Sequence, residues 1–250
     1  MRNRLTPKFS IITVTYNAGR LLEDTIQSVI TQTYHRIEYI IIDGASTDNT
    51  LQVIEKYRNH IHRLVSEPDK GLYDAMNKGM ELATGDYLCF LNAGDSFHAD
   101  DTLLLMVNST RSSELPDIMY GQTAIVDEQR HFVRMRRLSA PEKLTWKSFR
   151  KGMLVCHQAF FAKTSIAVPY DLSYRFSADF DWCIRIMKQS KTIHNTRLTL
   201  VDYLDEGMTT ENRKASLKER FRIMVKHYGW VSTMAHHGWF IIRLLTKPGQ

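Results

Sequence analysis

The chain has 250 residues, 43% hydrophobic and 24% charged, with a net charge of +6, a composition that excludes a disordered or fibrous protein. Its three cysteines lie far apart without metal-ligand spacing, which argues against a zinc site or disulfide framework and for a reducing compartment. No run approaches the roughly 18 apolar residues of a membrane-spanning helix, and no signal peptide is evident, so we expect a cytoplasmic protein.

The first hundred residues alternate between strand and helix patterns. Apolar runs rich in β-branched and aromatic residues predict strands at Phe9–Tyr16, Ile37–Asp43, Ile61–Ser66 and Tyr87–Leu91. Apolar residues at helical spacing predict helices between them, over residues 22–32, 51–57 and 73–84. Strands apolar on both faces that alternate with helices indicate a parallel sheet covered on both sides. Ligands of such sheets bind beyond the carboxyl ends of the strands.

The second half of the chain has a less regular pattern. Short strands are predicted at 118–120, 123–126 and 131–135, a helix at Pro141–Arg150 and a strand at Leu154–Ala162. Ser177 is expected to cap a further helix, and Glu211–Lys247 to form two basic helices broken near Gly229 and Gly238. No linker marks independent domains.

Polar residues follow each strand of the predicted parallel sheet and should converge along one edge: Thr15, Tyr16, Asn17, Asp43, Asp69, Lys70, Asn92 and Asp95. A buried acid such as Asp43 can accept hydrogen bonds from a base or ribose, and Lys70 can supply charge for phosphate. Simpler roles stay open, because an aspartate after a strand is often a turn residue and a lone lysine is often a solvated charge. No glycine-rich dinucleotide or P-loop signature occurs, which favours a diphosphate neutralised by metal.

Four segments resemble, in order and spacing, the successive signatures of family 2 glycosyltransferases: SIITVTYN (10–17), IDGASTD (42–48), EPDKGLYDAMNKG (67–79) and GDYLCFLNAGD (85–95). The resemblance covers roughly residues 9 to 190. It implies an α/β fold of the GT-A type, with a mainly parallel twisted sheet flanked by helices and here a helical C-terminal extension. Many such bacterial enzymes build capsule, O-antigen or exopolysaccharide.

The resemblance, together with the residue pattern of the C-terminal part, predicts an organisation of the chain. Residues 1–110 would form the nucleotide-sugar-binding half and residues 111–205 the acceptor-binding half of one globular domain. Residues 206–250 would form a basic amphipathic helical C-terminal segment. The donor would be a nucleotide-sugar, with a UDP-sugar favoured, and the acceptor a saccharide or lipid-linked saccharide. No nucleic-acid partner is expected, and the oligomeric state is left open.

Donor-binding roles follow from the resemblance, position by position. Thr15, Tyr16, Asn17 and Asp43 would contact the nucleoside. Asp69 and Lys70 would lie along the nucleoside and diphosphate, and Asn77 would support them from the third helix as part of the nucleotide-sugar site.

The segment Asn92–Asp95 matches the family's metal-binding aspartate motif but departs from its commoner form. Acids usually stand where this chain has Asn92 and Gly94, so Asp95 is its only carboxylate. Mg²⁺ or Mn²⁺ prefers oxygen ligands and could use Asp95, the Asn92 amide oxygen, the diphosphate and water. We therefore expect a divalent metal cofactor.

The segment SADFDWCIRI (177–186) resembles the part of the family that carries the catalytic base, and Asp179 matches that base. An acid near a helix start can also simply interact with the helix dipole. His157 and Gln158 resemble a His-Gln pair of related enzymes, which could face the donor sugar or acceptor or make a structural hydrogen bond. We assign His157 no catalytic role.

Basic and aromatic residues are interleaved in the C-terminal segment, especially over residues 211–247. This pattern is typical of a helix in a membrane interface, and equally of a helical pair that packs on the core or on another subunit. Both interpretations remain open from the sequence.

These patterns together predict an inverting glycosyltransferase of cell-surface polysaccharide biosynthesis. One alternative is a nucleotidyltransferase that makes activated sugars, although Thr15–Gly19 lacks the glycine-rich loop with a lysine that such enzymes carry. The other alternative is a non-catalytic nucleotide-sugar-binding protein, which Asp179 and the polar strand ends argue against.

Overall fold

The structure, a computed structural model, describes residues 6–110, 114–204 and 213–246, with the backbone alone for residues 213 and 239–246. Parts of the predicted C-terminal segment, residues 206–212 and 247–250, lie outside the described residues. Nine strands form one sheet in the described part: β1 (Phe9–Thr15), β2 (Ile37–Asp43), β3 (Arg63–Ser66), β4 (Tyr87–Phe90), β5 (Ser96–Phe97), β6 (Ile118–Val126), β7 (Phe132–Met135), β8 (Phe160–Lys163) and β9 (Ile193–Leu204).

The helices of the described chain alternate with these strands and then follow them: α1 (Gly19–Ile30), α2 (Thr50–Lys56), α3 (Leu72–Leu82), α4 (Thr102–Ser109), α5 (Ala178–Gln189), α6 (Arg213–Tyr228) and α7 (Trp230–Thr246). Short 3₁₀ turns occur at Arg58–His60, Trp146–Lys151, His157–Ala159 and Thr164–Ile166. No helix within the described ranges is both long and apolar enough to cross a membrane.

The N-terminal half forms the parallel part of the sheet, in the spatial order β3-β2-β1-β4. All residues of β1 are buried, as expected for a strand covered on both faces. Thr15 pairs with Asp43, and Asp43 with Ser66, so the strands end at the same level. The polar residues that follow them therefore meet at one edge.

The second half extends this sheet with mixed pairing. β8 pairs antiparallel with β4 and with β6, whereas β9 runs parallel to β6 and antiparallel to β5. β7 folds back on β6 as a hairpin. Parallel pairing thus dominates in the half where the sequence shows strand–helix alternation, and antiparallel strands complete the sheet.

Three secondary-structure predictions for the second half were wrong in detail. The helix predicted at Pro141–Arg150 is only a 3₁₀ turn at Trp146–Lys151, and the carbonyl of Pro141 instead accepts a hydrogen bond from the Tyr120 hydroxyl, 2.7 Å away. The strand predicted at Leu154–Ala162 is confined to β8 and follows a 3₁₀ turn. The C-terminal helices break at Gly229, where φ is 80°, while α7 continues through Gly238.

A cluster of buried aromatic rings fixes α5 against the sheet. The fully buried Trp182 packs edge-on against Phe90 of β4 and Phe160 of β8, and its ring stacks on Tyr170 at 5.1 Å. Its Nε1 donates a 2.7 Å hydrogen bond to the Val168 carbonyl. Burial of such large rings is a major stabilising term. The cluster holds the start of α5 close to the carboxyl edge of the sheet.

Candidate active site

A cavity of about 640 Å³ opens beyond the carboxyl ends of β1 and β4. One wall is formed by the strand ends at residues 14–16 and 92–95, together with the start of α3. The opposite wall comes from the β6–β7 hairpin and the segment after it, and α5 and α6 contribute one residue each, Asp179 and Arg220. The site therefore combines the regular half of the chain with the half that the sequence left poorly defined.

Six of the predicted site residues line this cavity: Thr15, Tyr16, Asp69, Asn92, Asp95 and Asp179. The Thr15 hydroxyl and the Asn92 Oδ1 are buried without a hydrogen-bond partner among the described residues. Buried polar atoms are normally paired, so two unpaired ones in a cavity wall indicate ligand contacts. Tyr16 is 63% exposed at the rim and offers a free aromatic face.

Gly44 allows Tyr16 and Asp69 to approach each other. A Cβ atom at Gly44 would lie 2.6 Å from Oδ2 of Asp69 and 3.3 Å from Cδ2 of Tyr16. Any larger residue would push these side chains away. Asp69 also accepts a 2.7 Å hydrogen bond from the backbone of Gly71, which holds the turn before α3.

Four other predicted site residues do not line the cavity. The Asp43 carboxylate is fully buried behind it and accepts hydrogen bonds from Ser46 and Ser66. Asn17, in a left-handed conformation with φ of 47°, accepts a hydrogen bond from the Thr47 backbone. In the described contacts, Asp43 and Asn17 therefore hold the loops behind the site in place by hydrogen bonds.

Lys70 and Asn77 also lie outside the cavity lining. The Lys70 side chain is exposed. Asn77 is tied by both groups of its amide to the backbone of Tyr170, at 3.1 and 2.7 Å. Because the Tyr170 ring stacks on Tyr73, Asn77 supports a residue that does line the cavity.

Asp95 is a buried acid at the floor of the cavity. Burial raises the pKa of Asp95 to about 6, although the hydrogen bond from Gln158 and the charges of His157 and Arg130 act to lower it. Gly94 before it has φ of 100°, a left-handed conformation in which an aspartate would be strained. The backbone conformation of this turn therefore suits a glycine at position 94.

Asp179 lies at the start of α5, and its pKa is shifted in the opposite direction from that of Asp95. Burial raises its pKa, but the hydrogen bond and charge of His157 and the charge of Arg220 outweigh burial, and the net pKa lies below the ordinary value. The Tyr73 hydroxyl donates to Oδ1 at 3.1 Å, and His157 Nδ1 lies 3.4 Å from Oδ2. Asp179 is thus ionised at neutral pH and held in a defined orientation.

The His157–Gln158 pair connects the two acids of the site. His157 contacts Asp179, while the Gln158 amide donates a 2.8 Å hydrogen bond to Oδ2 of Asp95. His157 Nε2 is buried without a partner among the described residues. The 3₁₀ turn at His157–Ala159 aims the two neighbouring side chains at different carboxylates. The contact between Gln158 and Asp95 was not predicted, because only the folded chain brings these segments together.

Four arginines in the cavity wall were also not assigned to the site from the sequence: Arg134, Arg136, Arg137 and Arg220. Arg136 uses its guanidinium within the protein, donating to the carbonyls of Leu138 and Met153 at 3.0 and 2.8 Å. Arg220 lies on α6, in the segment that the sequence associates with membrane binding or packing. No local pattern distinguishes these arginines from surface charges.

Comparisons with known proteins find sequence relatives over most of the chain. The family described as "Glycosyl transferase family 2" matches residues 10–168. A PGL/p-HBAD biosynthesis glycosyltransferase of Mycobacterium bovis is 35% identical over 72% of this chain and 69% of its own length. The putative teichuronic acid biosynthesis glycosyltransferase TuaG of Bacillus subtilis is 38% identical over 86% of both chains.

Solved structures share the fold at low sequence identity. S. aureus TarS 1-349 in complex with UDP has a TM-score of 0.67 at 15% identity, covering 96% of this chain and 72% of its own. The mannosyltransferase PcManGT from Pyrobaculum calidifontis, in complex with GDP-Man and Mn²⁺, has a TM-score of 0.63 at 17% identity over 89% of this chain. This chain spans 65% of PcManGT and 65% of a second TarS 1-349 chain. The predicted GT-A-type fold is confirmed.

Proposed function

The chain belongs to glycosyl transferase family 2, and from that premise we propose that it moves a sugar, with inversion, from a nucleoside-diphosphate-sugar to a saccharide acceptor in cell-surface polysaccharide biosynthesis. One observation carries the proposal. An ionised, oriented Asp179 shares a cavity with the Asn92–Asp95 segment at the carboxyl ends of the parallel strands. Relatives named for PGL/p-HBAD biosynthesis and for teichuronic acid biosynthesis support the polysaccharide context.

In this proposal Asp179 is the general base. Its carboxylate accepts the proton of the acceptor hydroxyl while that oxygen attacks the anomeric carbon, and the bond from this carbon to the diphosphate oxygen breaks. The electron pair of the broken bond leaves with the nucleoside diphosphate. A single in-line displacement inverts the anomeric configuration. Tyr73 and His157 hold the carboxylate in one orientation, so that a lone pair is directed at the acceptor.

The donor nucleotide would lie along the strand ends. We propose that the exposed ring of Tyr16 packs on the base, while Thr15, Asp69 and Asn92 hydrogen-bond to the ribose and diphosphate region. A UDP-sugar is the favoured donor. The TarS structures hold UDP and UDP-GlcNAc, and PcManGT holds GDP-Man, so both bases need testing.

Asp95 and Asn92 fit a divalent cation. The Asn92 Oδ1 is buried and unpartnered, and Asp95 adds carboxylate oxygen, both suited to Mg²⁺ or Mn²⁺. No group of three His, Cys, Asp or Glu side chains that could hold a metal occurs within the described ranges, so the diphosphate and water would complete the coordination. When bound, the cation would neutralise charge on the departing diphosphate.

Metal binding should weaken as the pH falls through about 6, because burial raises the pKa of Asp95 to about 6 and a protonated carboxyl cannot bind the cation. In the presence of UDP, we expect the Mn²⁺ affinity to drop about tenfold per pH unit below that value. Electron paramagnetic resonance of free Mn²⁺ measures this affinity. The Asp95→Asn variant should bind Mn²⁺ weakly at every pH. A wild-type Mn²⁺ affinity that stays the same from about pH 7.5 to about pH 5 would contradict the assignment of Asp95 as a metal ligand.

A nucleotide-sugar panel tests the proposed function. The protein is incubated with UDP- and GDP-sugars and short saccharide acceptors, and released nucleoside diphosphate and pyrophosphate are measured. Acceptor-dependent release of nucleoside diphosphate supports glycosyl transfer. Pyrophosphate release would instead indicate the nucleotidyltransferase alternative, and binding without turnover a non-catalytic protein.

We further propose that the C-terminal helices contact an anionic membrane surface at the inner face of the cell membrane, where a lipid-linked acceptor would be found. On α6 and α7, Leu217, Trp230 and Val231 are 54%, 61% and 83% exposed, and the neighbouring Lys214 and Lys218 are exposed cations. Exposed apolar residues beside lysines favour an anionic lipid interface. The side chain of Arg243 and all of Lys247, which the sequence pattern includes, lie outside the described residues.

Vesicle sedimentation checks the membrane contact. The wild-type protein should bind vesicles containing phosphatidylglycerol, release on washing with high salt, and bind pure phosphatidylcholine weakly. The double variant Trp230→Glu/Val231→Glu should lose most of this binding. Leu172→Glu, at a site that is 50% exposed elsewhere on the protein, should not. Equal vesicle binding by the double variant and by Leu172→Glu would contradict the proposal that Trp230 and Val231 contact the membrane.

A further inference from the structure

The structure contains an arginine whose environment the sequence does not explain. Arg220 on α6 lines the cavity, yet its guanidinium has no hydrogen-bond or ion-pair partner among the residues that the structure describes. Its Nε is buried. A partly buried guanidinium with unused donors is better satisfied when a ligand accepts its hydrogen bonds. The charge of Asp179 attracts Arg220 but makes no hydrogen bond or ion-pair contact with it, because the Asp179 oxygens interact with Tyr73, His157 and the backbone of Phe180.

Contacts on both sides of Asp179 fix the position of α6. Glu219, directly before Arg220, accepts 2.8 Å hydrogen bonds from the backbone nitrogens of Arg175 and Phe176. One turn earlier on α6, the hydroxyl of Ser216 lies 3.0 Å from that of Ser177. Arg220 is thereby presented to the cavity by the same contacts that order the chain leading into the proposed base.

Helix α6 also contacts the chain on the C-terminal side of Asp179, at Asp181. The carboxylate of Asp181 is contacted by Lys226 at 3.2 Å and by His227 at 2.8 Å, both from the last turn of α6. Helix α6 is therefore fastened to the Asp179 segment from both directions. A side chain on such a helix is held by rigid elements, as a group that acts on reacting atoms must be.

The chemistry of the cavity indicates what Arg220 binds. The donor brings a diphosphate that gains negative charge as it leaves, and Asp95 is the only carboxylate of the Asn92–Asp95 segment that can hold a neutralising cation. Arginine is well suited to phosphate, because its planar fork donates two parallel hydrogen bonds. Arg136, also in the wall, is already engaged by backbone carbonyls and cannot take this role without breaking them.

We propose that Arg220 binds the diphosphate of the donor and stabilises it as the leaving group, so that the C-terminal helix forms part of the active site. This inference rests on the proposed function, since it assumes a nucleoside-diphosphate donor. The family match ends at residue 168, so Arg220 lies outside the matched region. The guanidinium would share the neutralisation of the leaving group with a cation bound at Asp95.

Binding of UDP and GDP, measured by calorimetry with and without EDTA, tests the inference. We expect Arg220→Ala to weaken binding of the preferred diphosphate about 10- to 100-fold, with the larger loss in EDTA, and to leave the weak binding of the bare nucleoside unchanged. Arg220→Lys should recover part of the affinity because it restores the charge. The control is Arg222→Ala, an exposed arginine on the same helix that lies over the Tyr174 ring and does not line the cavity.

The outcomes separate this inference from the proposed function. Wild-type diphosphate affinity in folded Arg220→Ala, as judged by circular dichroism, would overturn the inference while donor turnover by the wild type still supports glycosyl transfer. If Arg220→Ala kept wild-type diphosphate affinity but changed the pH profile of kcat, Arg220 would act on Asp179 and not on the diphosphate. That result would also overturn the inference. A wild-type protein that binds neither UDP nor GDP would overturn both.

Discussion

Asp179→Asn is expected to lower kcat by about 10²- to 10⁴-fold, the range that general-base catalysis usually contributes. The amide keeps the size of the carboxylate but cannot accept the acceptor's proton. Donor affinity should change little, because Asp179 acts on the acceptor hydroxyl in the proposed mechanism. Initial rates of nucleoside diphosphate release, together with calorimetric UDP or GDP affinity, would separate the loss in kcat from any change in binding.

A charge control accompanies this variant. Glu55→Gln removes an exposed carboxylate from α2, outside the cavity lining, and should leave kcat unchanged. Because the pKa of Asp179 lies below its ordinary value, wild-type activity should not show an acidic limb from this residue near neutral pH. Turnover by Asp179→Asn within a factor of about three of wild type would remove Asp179 from the role of base.

Asp181→Asn is expected to reduce the free energy of unfolding by about 3 kcal/mol at neutral pH. The Asp181 carboxylate is fully buried and lies among Arg185, Lys226 and His227, at 2.6, 3.2 and 2.8 Å. Without its negative charge, these side chains repel one another and α6 loses its main polar attachment to α5. Urea unfolding followed by tryptophan fluorescence measures the difference.

The loss of unfolding free energy in Asp181→Asn should be largest at neutral pH and smaller in acid. Burial raises the pKa of Asp181, but the hydrogen bond from His227 and the interactions with Arg185 and Lys226 outweigh it and lower the pKa to about 2. A depressed pKa of an acid stabilises the folded protein above the ordinary aspartate pKa, and this contribution is lost as the pH falls toward about 2. The difference in free energy of unfolding between wild type and Asp181→Asn should therefore become smaller as the pH falls from about 4 to about 2.

A neighbouring acid provides the matched control. Asp171 also pairs with Lys226, at 3.3 Å, but its side chain is 35% exposed. Water screens such a pair, so Asp171→Asn should cost less than about 1 kcal/mol. Equal losses for Asp171→Asn and Asp181→Asn would show that burial of the Asp181 cluster does not govern the attachment of α6.

The attachment of α6 connects stability with the proposed chemistry. A variant that loosens α6 also displaces Arg220 and the backbone contacts of Glu219 before the base. Asp181→Asn should therefore lower turnover even at temperatures where the protein stays folded. Arg220→Ala, by contrast, should leave the free energy of unfolding almost unchanged, because its guanidinium makes no described hydrogen bond.

The strand-end residues illustrate how far sequence reasoning reaches. Periodicity located β1, β2 and β4 almost to the residue, because buried parallel strands have continuous apolar runs. It follows that Thr15, Asp43 and Asn92 had to lie near one edge. The sequence could not tell that Asp43 turns to Ser46 and Ser66 while Thr15 and Asn92 face the cavity, since side-chain direction depends on the loops packed around each strand end.

Local periodicity and short motifs are thus enough to predict the parallel half of the sheet, its ligand-binding edge and the family. Which polar groups meet is known only from the folded chain. Gln158 reaches Asp95 across the sheet, His157 reaches Asp179, and Arg220 enters from a distant helix. Those contacts depend on antiparallel strands, buried aromatic packing and the buried Asp181 cluster, which join segments far apart in the chain and have no local sequence pattern.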